Sequence, residues 1–372
     1  MVSDNVIIAL GVWVIVDGVR YTPRRGVSVQ LLSWPRPYEE NPYLTRLTES
    51  LERRGVSSRS RRYLAELVLD RSSARWLHLH WPEWMLRDAS RAKARARAVW
   101  FFSLLDAFAL RGVKVAWTAH NLVGHDEPHP DLAIAFRQAF LRRCALVHGH
   151  FASAEASVRA LGFRGDFVLA GHPHALDDYV ATADRATIRA RMGFAPDERV
   201  LVCFGAIESY KGFDRVAAAF ARGCRGADRL VVAGRASDPR ALAALVAARG
   251  GVEAIEIREG FLSRSETADL VLAADGMVLG YRQFFTSGTA MLALSHGTPL
   301  LGPPVHHLAE FEGRSFFFAL DDPERLADAA ASWRRAIDAR GEAIREEARA
   351  HARGFTYDSI AAELVAAFGR SG

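Results

Sequence analysis

The stretch ADGMVLGYRQFFTSGTAMLALSHGTPLLGPP, Ala274 to Pro304, decides the architecture of the second half of this chain. An apolar strand over Gly276 to Leu279 gives way to a polar loop. A helix then starts near Gly288, and a second strand falls around Pro299 to Leu301. The loop sets Tyr281, Arg282, Thr286, Ser287 and Thr289 where that helix begins. A helix N-terminus carries unpaired N–H groups and a partial positive charge, so it holds anions. Gly288 lets a ligand approach the backbone, Ser287 and Thr289 add hydroxyl donors, and Arg282 suits bidentate phosphate binding. An ordinary N-cap would account for Ser287 but not for the arginine and glycine beside it.

On either side of this stretch, strand and helix patterns alternate. Strand-like runs fall at Val27–Leu32, Trp76–His80, Val113–Thr118, Ala145–His148 and Phe167–Leu169. The series restarts at Val200–Phe204, Leu230–Ala233, Val252–Ile257, Met277–Leu279 and Pro299–Leu301, with helical patterns between most of them. Such alternation predicts parallel sheets covered by helices on both faces. The break lies in the polar stretch Asp177–Asp184, after Pro173. The expectation is an α/β chain of two Rossmann-like, doubly wound domains, residues 27–178 and 185–353, facing a cleft beyond their strand ends.

Composition is compatible with that. A chain of 372 residues, half of them hydrophobic, supports two buried cores. No apolar run approaches the ~20 residues that span a bilayer. Val6 to Val16 stops at Asp17 and lacks a basic flank, so residues 1–26 read as an N-terminal strand or extension rather than a signal peptide. The three cysteines form no CxxC pair, which fits a reducing cytosol. The net charge of +5 favours anionic partners. Arginines cluster at Arg53, Arg54, Arg59, Arg61 and Arg62, and again with Lys93 at Arg87, Arg91, Arg95 and Arg97. The second cluster runs into the aromatic stretch Ala98–Leu110. These basic residues suit peripheral contact with an anionic membrane, whereas Trp100, Phe101 and Leu104 read as a core stripe. No nucleic-acid-binding module accompanies the charge.

Polar residues gather at the predicted strand ends. His80, Trp81 and Glu83 follow one strand; His120 and Asn121 follow another, with His125 and Asp126 just beyond. In the second half, one strand ends in Gly205 with Tyr210, Lys211 and Gly212 opening the next helix, and another ends in Gly234 and Arg235. With the Ala274–Pro304 loop, three strand ends carry glycines and cations suited to a nucleotide diphosphate.

The ordered segments NPY (Asn41–Tyr43), HLHWPE (His78–Glu83), WTAHNL (Trp117–Leu122), FGAIESYKG (Phe204–Gly212), AGR (Ala233–Arg235) and YRQFFTSG (Tyr281–Gly288) resemble those of GT-B glycosyltransferases. Among these the chain is most similar to bacterial exopolysaccharide enzymes of the GDP-mannose:glycolipid β-mannosyltransferase type, from about Ser28 to Phe368. The resemblance implies a C-terminal domain that binds a nucleotide sugar, with Lys211 on its diphosphate. Gly205, Tyr210, Gly234, Arg235, Tyr281, Arg282, Thr286, Ser287, Gly288 and Thr289 would line the donor side. His120 matches a histidine facing the transferred sugar or the acceptor; His80, Trp81, Asn121 and His125 would lie on the acceptor side. A last helix, within residues 354–372, would return to the N-terminal domain. No metal or other cofactor is expected to be essential, because the cations and N–H groups would stabilise the leaving diphosphate.

This sequence departs from the family at several positions. The two glutamates, separated by seven intervening residues, of many retaining members are replaced by Phe284 and Leu292. Glu208 stands where arginine is usual, Gly280 for proline and Thr286 for asparagine. The missing glutamates favour inversion, which needs a general base near the acceptor hydroxyl. Asp126 leads the candidates, ahead of His120 and Glu83; Glu83 also reads as a helix cap. Three His-x-His pairs, at His78/His80, His148/His150 and His172/His174, raise a metal reading, but half-sites are not a metal centre.

The function expected is transfer of a hexose, mannose favoured, from a nucleotide diphosphate sugar to a glycan or lipid-linked oligosaccharide. The enzyme would be cytoplasmic, with peripheral contact on the inner face of the membrane compatible with its basic segments, and would serve polysaccharide synthesis. A nucleotide-sugar epimerase and a non-catalytic partner subunit are the alternatives.

Overall fold

The computed structural model describes residues 14–16, 19–21, 30–38, 41–124, 127–224 and 227–370. The strands are β1 (Val14–Val16), β2 (Val19–Tyr21), β3 (Gln30–Trp34), β4 (Ser57–Ser60), β5 (Trp76–His80), β6 (Lys114–Thr118), β7 (Cys144–Gly149) and β8 (Asp166–Leu169). In the second half they are β9 (Val200–Phe204), β10 (Arg229–Gly234), β11 (Ile255–Glu259), β12 (Gly276–Val278), β13 (Leu300–Gly302) and β14 (Phe317–Ala319). β1 and β2 pair antiparallel. All the others are parallel within two six-stranded sheets, ordered β4-β3-β5-β6-β7-β8 and β11-β10-β9-β12-β13-β14. Both halves are doubly wound, Rossmann-like domains.

Strand order fixes where ligands can sit. In each sheet the chain winds outward, then returns to the other side of its first central strand, at β3/β5 and at β9/β12. The connecting loops diverge there and open a crevice at the carboxyl ends. The segments Trp34–Tyr38 and His80–Glu83 flank the first crevice, and Gly205–Lys211 and Gly280–Thr289 the second.

Alternation along the strands divides the first domain's interior. Leu77 and Leu79 join Trp117, Val147 and Phe140 in one core. On the opposite face Trp76 packs with Leu31, Ala116, Leu146 and Val168, under the helices Pro42–Arg53 and Tyr357–Arg370. Ile360, Leu364 and Phe368 from the second of these helices are fully buried in that cluster. Trp76 Nε1 donates to the Phe368 carbonyl at 3.3 Å.

Some elements differ from the sequence expectation. β3 starts at Gln30 among the described residues, and most of the Val6–Val16 run and Val27–Val29 lie outside them. The first arginine cluster contains the edge strand β4, which its Ser-Ser-Arg-Ser sequence disguises; charge on an edge discourages further pairing. In the helix Arg91–Leu110 the buried stripe is Ala94, Ala98, Phe101, Leu105 and Phe108. That follows helical spacing, and it leaves Trp100 and Val99 exposed, correcting the stripe proposed through Trp100 and Leu104. Among the described residues no helix is long and apolar enough to cross a membrane.

Candidate active site

The two crevices face each other across a cleft of about 510 Å³. Trp81, Glu83, His120 and Asn121 line it from the first domain, and Tyr210, Thr286, Gly288 and Thr289 from the second. The sides touch through Thr286, whose N–H donates to the His120 carbonyl at 3.3 Å and whose hydroxyl donates to the Ala119 carbonyl at 3.4 Å. His125 and Asp126 lie outside the described residues.

On the second-domain side, the helix Gly288–Ser295 begins as the sequence suggested. Ser287 accepts the Ala290 N–H at 3.1 Å and exchanges a hydrogen bond with the Tyr281 hydroxyl at 2.9 Å. Its side chain therefore serves the cap, and the backbone ahead of it and Thr289 face the cleft. Lys211 is 7% exposed; among the described residues its Nζ hydrogen-bonds only to the Phe204 carbonyl, at 3.5 Å, and it lies 5.9 Å from the centre of the Phe213 ring. It forms no direct ion pair among the described residues, and burial, opposed in part by the Glu208 charge, lowers its pKa to about 8. Gly205, at φ 119, passes directly over the ammonium; a β-carbon there would collide with Nζ. Gly234 packs as closely on the Gly205 carbonyl, so neither position accepts a side chain.

The two arginines sit differently. Arg282 Nη2 pairs with Asp214 at 2.6 Å on the exposed rim, while its N–H donates to the Tyr210 carbonyl at 2.7 Å and so joins the two loops. Arg235 is exposed at the end of β10, outside the cleft lining. Glu208, half-buried, accepts from the Ser237 hydroxyl at 2.7 Å, and its charge favours the protonated form of Lys211.

On the first-domain side, Glu83 is buried and paired with Arg137 at 2.9 Å, with the Asn121 amide at 3.3 Å. Arg137 lies over the Trp117 ring at 4.2 Å, and its Nε donates to the Leu122 carbonyl. Glu83 is therefore the counter-ion of a buried guanidinium, and it lies inside the short helix Pro82–Leu86, whose cap position is Trp81. Trp81, left-handed at φ 47, stacks on His120 at 4.4 Å and on Trp84 at 5.7 Å.

The histidines that sequence spacing only hinted at form one file. His78 and His80 continue the Trp76 face of β5, opposite Ala116 and Thr118 of β6. His78 Nε2 donates to the Thr118 hydroxyl at 2.8 Å, which donates to His148 Nδ1 at 3.2 Å. His80 Nδ1 and His120 Nε2 share a hydrogen bond of 3.0 Å. Beyond them lie His150, His172 and, from the second domain, His307, whose Nδ1 accepts the Ser287 N–H at 3.3 Å. Burial lowers every pKa in the file: His78 and His307 to about 3, His148 and His172 to about 4, and His80, His120 and His150 well below the ordinary value. Two His-x-His pairs thus converge, but their nitrogens engage one another, Thr118, Tyr43 and backbone carbonyls. Among the described residues no three His, Cys, Asp or Glu side chains are grouped to hold a metal ion.

Sequence reading missed Tyr43, Trp84, His172, Asp178 and Tyr357 as cleft residues. Tyr43 and His172 were signalled, the one by the NPY segment and the other by a His-x-His pair. Tyr357 comes from the returning helix, which no local pattern could bring to this cleft.

A family model described as glycosyl transferases group 1 matches residues 198–334. The GDP-mannose:glycolipid 4-beta-D-mannosyltransferase of Xanthomonas campestris pv. campestris is 30% identical over 267 residues, 71% of this chain and 70% of that enzyme. Among solved structures, the sucrose-phosphate synthase of Thermosynechococcus elongatus superposes with a TM-score of 0.68 at 17% identity, covering 92% of this chain and 99% of that one. HepE of Anabaena, solved with UDP, gives a TM-score of 0.66 at 12% identity, covering 92% of this chain and 100% of its own. With its two facing Rossmann-like domains and its mannosyltransferase relatives, the chain belongs to the group 1 glycosyltransferases of GT-B fold.

Proposed function

We propose that this glycosyltransferase moves mannose from GDP-mannose to a glycan or lipid-linked oligosaccharide acceptor. The observation that carries the reading is Lys211, a buried ammonium at the β9/β12 crevice that makes no direct ion pair among the described residues and feels the Glu208 carboxylate only at longer range. Burying an unpaired cation is costly, so its retention argues for an anionic ligand. The diphosphate is placed between Lys211 and the N–H groups at Gly288 and Thr289, which oppose the charge developing on the leaving group. Mannose and GDP are taken from the Xanthomonas relative.

The acceptor lies against Trp81, Trp84 and Asn121, and its hydroxyl gives up a proton as the new glycosidic bond forms. Asp126 is the proposed base, with Glu83 occupied by Arg137 and the His120 pKa held low. A lipid-linked acceptor agrees with the exposed face of the helix Arg91–Leu110, where Lys93, Arg95 and Arg97 accompany Val99 and Trp100. That face is proposed to rest on anionic lipid.

A thermal-shift screen with GDP, UDP, dTDP and ADP, and with their sugar conjugates, tests the donor. A selective rise with GDP and GDP-mannose is expected. A rise with another nucleotide alone would reassign the donor, and no rise with any would favour a non-catalytic partner subunit.

A further inference from the structure

The polarity of the histidine file can be read from its hydrogen bonds. Backbone carbonyls only accept, so His148 donates Nε2–H to Ala170 at 2.9 Å and His150 donates Nδ1–H to the same oxygen at 3.2 Å. His172 donates Nδ1–H to the Pro173 carbonyl at 3.0 Å. Burial keeps these rings neutral, so the other nitrogen of each is a lone pair. In His150 that nitrogen accepts from the Tyr43 hydroxyl at 3.3 Å. In His172 the corresponding Nε2 has no hydrogen-bond partner among the described residues.

The position of this lone pair is informative. His172 lines the cleft, and a β-carbon on Gly288 would lie 3.3 Å from its Nε2. Gly288 opens the helix proposed to hold the diphosphate. The atom bonded to the terminal phosphate of a nucleotide sugar is the anomeric carbon, and the nearest hydroxyl is on the adjacent carbon. We infer that His172 Nε2 accepts a hydrogen bond from the 2-hydroxyl of the transferred hexose, so that the site selects donors able to offer that hydrogen. The assignment rests on the donor reading above. A sugar with hydrogen or fluorine at that carbon leaves the lone pair desolvated and unpartnered, and a site built for a hydroxyl rejects such an analogue.

The test is calorimetric binding of GDP, GDP-mannose and GDP-2-deoxy-2-fluoro-mannose to the full chain, its His172→Phe variant and its His172→Gln variant. The intact protein is expected to bind GDP-mannose about tenfold more tightly than the fluoro analogue. His172→Phe should bind the two sugars equally and GDP as before, while His172→Gln, which keeps an acceptor, should restore part of the preference. Equal binding of both sugars by the intact protein overturns the assignment, as does a preference undiminished in His172→Phe. The GDP arm separates the two readings: no GDP binding by the intact protein removes the donor reading and this assignment with it. Nitrogen-15 spectra of the histidine side chains give a second readout, independent of substrate. His172 should be the Nδ1–H tautomer at neutral pH, and the Nε2–H tautomer would overturn the proposal.

Discussion

Phe285 of the second domain packs edge-on against Phe151 of the first, ring centres 4.7 Å apart and planes at 65°. Phe285 is 2% exposed and belongs to the first domain's core rather than to its own. The loop that carries Tyr281 and Thr286 is thus anchored across the cleft, two residues from the cap of the helix at Gly288. Phe285→Ala should cost about 3 kcal/mol or more by opening a cavity in that core. It should also weaken donor binding, although the side chain is absent from the cleft lining. Denaturant melts together with nucleotide titrations would check both; a loss of stability with unchanged donor affinity would uncouple the anchor from the site.

Lys211 offers a different signature. A buried ammonium without a direct ion pair costs stability, so Lys211→Met should hold or raise the melting temperature while losing at least tenfold in GDP affinity. Arg282→Ala should lose less, because its guanidinium already pairs with Asp214 on the exposed rim. Unchanged affinity in both variants would remove the diphosphate site from this crevice.

The Lys211 pKa, lowered to about 8 in the free protein, also sets a pH dependence. An anion favours the charged form, so binding above pH 8 requires proton uptake, and GDP affinity should fall as pH rises past that point. Calorimetry in buffers of different ionisation enthalpy would detect the proton. Flat affinity from pH 7 to 9.5 would mean that the ammonium does not meet the ligand.

The histidine file predicts acid sensitivity. Its folded pKa values lie below the ordinary 6.5, so the unfolded chain takes up protons first as pH falls. Stability is complete above about pH 6.5 and is lost toward pH 4 and 3. A ring whose pKa is lowered to about 4 forfeits about 2 kcal/mol by pH 5. Urea melts between pH 7.5 and 5 should show a progressive loss of several kcal/mol. Replacing His78 by an apolar residue should flatten part of that slope.

Glu83 can be separated from catalysis by pairing mutations. Glu83→Gln strands the buried Arg137 charge and should cost about 3–5 kcal/mol. Adding Arg137→Met should recover most of that stability. If Glu83 is only the counter-ion, the stable double variant also regains turnover; a stable but inactive double variant would make the carboxylate the base.

Local pattern carried most of the fold. The strands β9, β10, β12 and β13 and the helix after Ser287 are written in apolar runs bounded by glycine, and these follow from short-range chemistry. β11, with the charged sequence Ile-Glu-Ile-Arg-Glu, lies at Ile255–Glu259 and not at Val252–Ile257. β4 was illegible, because an edge strand of serine and arginine has no apolar alternation to betray it. The site was legible where a strand end meets a glycine or a cation, as at Gly205, Lys211 and Gly288. It was illegible where function depends on who sits next to whom. Spacing reveals that His78 and His80 share a face, but not that Thr118 and His148 will complete their hydrogen bonds. Spacing likewise cannot tell that Glu83 will meet Arg137, fifty-four positions away.

The helix Tyr357–Arg370 seals the face of the first sheet that carries Trp76. On the ribosome, therefore, the domain that emerges first is finished last. Leu31 and Trp76 keep only the cover of the helix Pro42–Arg53 while the whole second domain is made, and the first domain's final packing step waits for the helix Tyr357–Arg370.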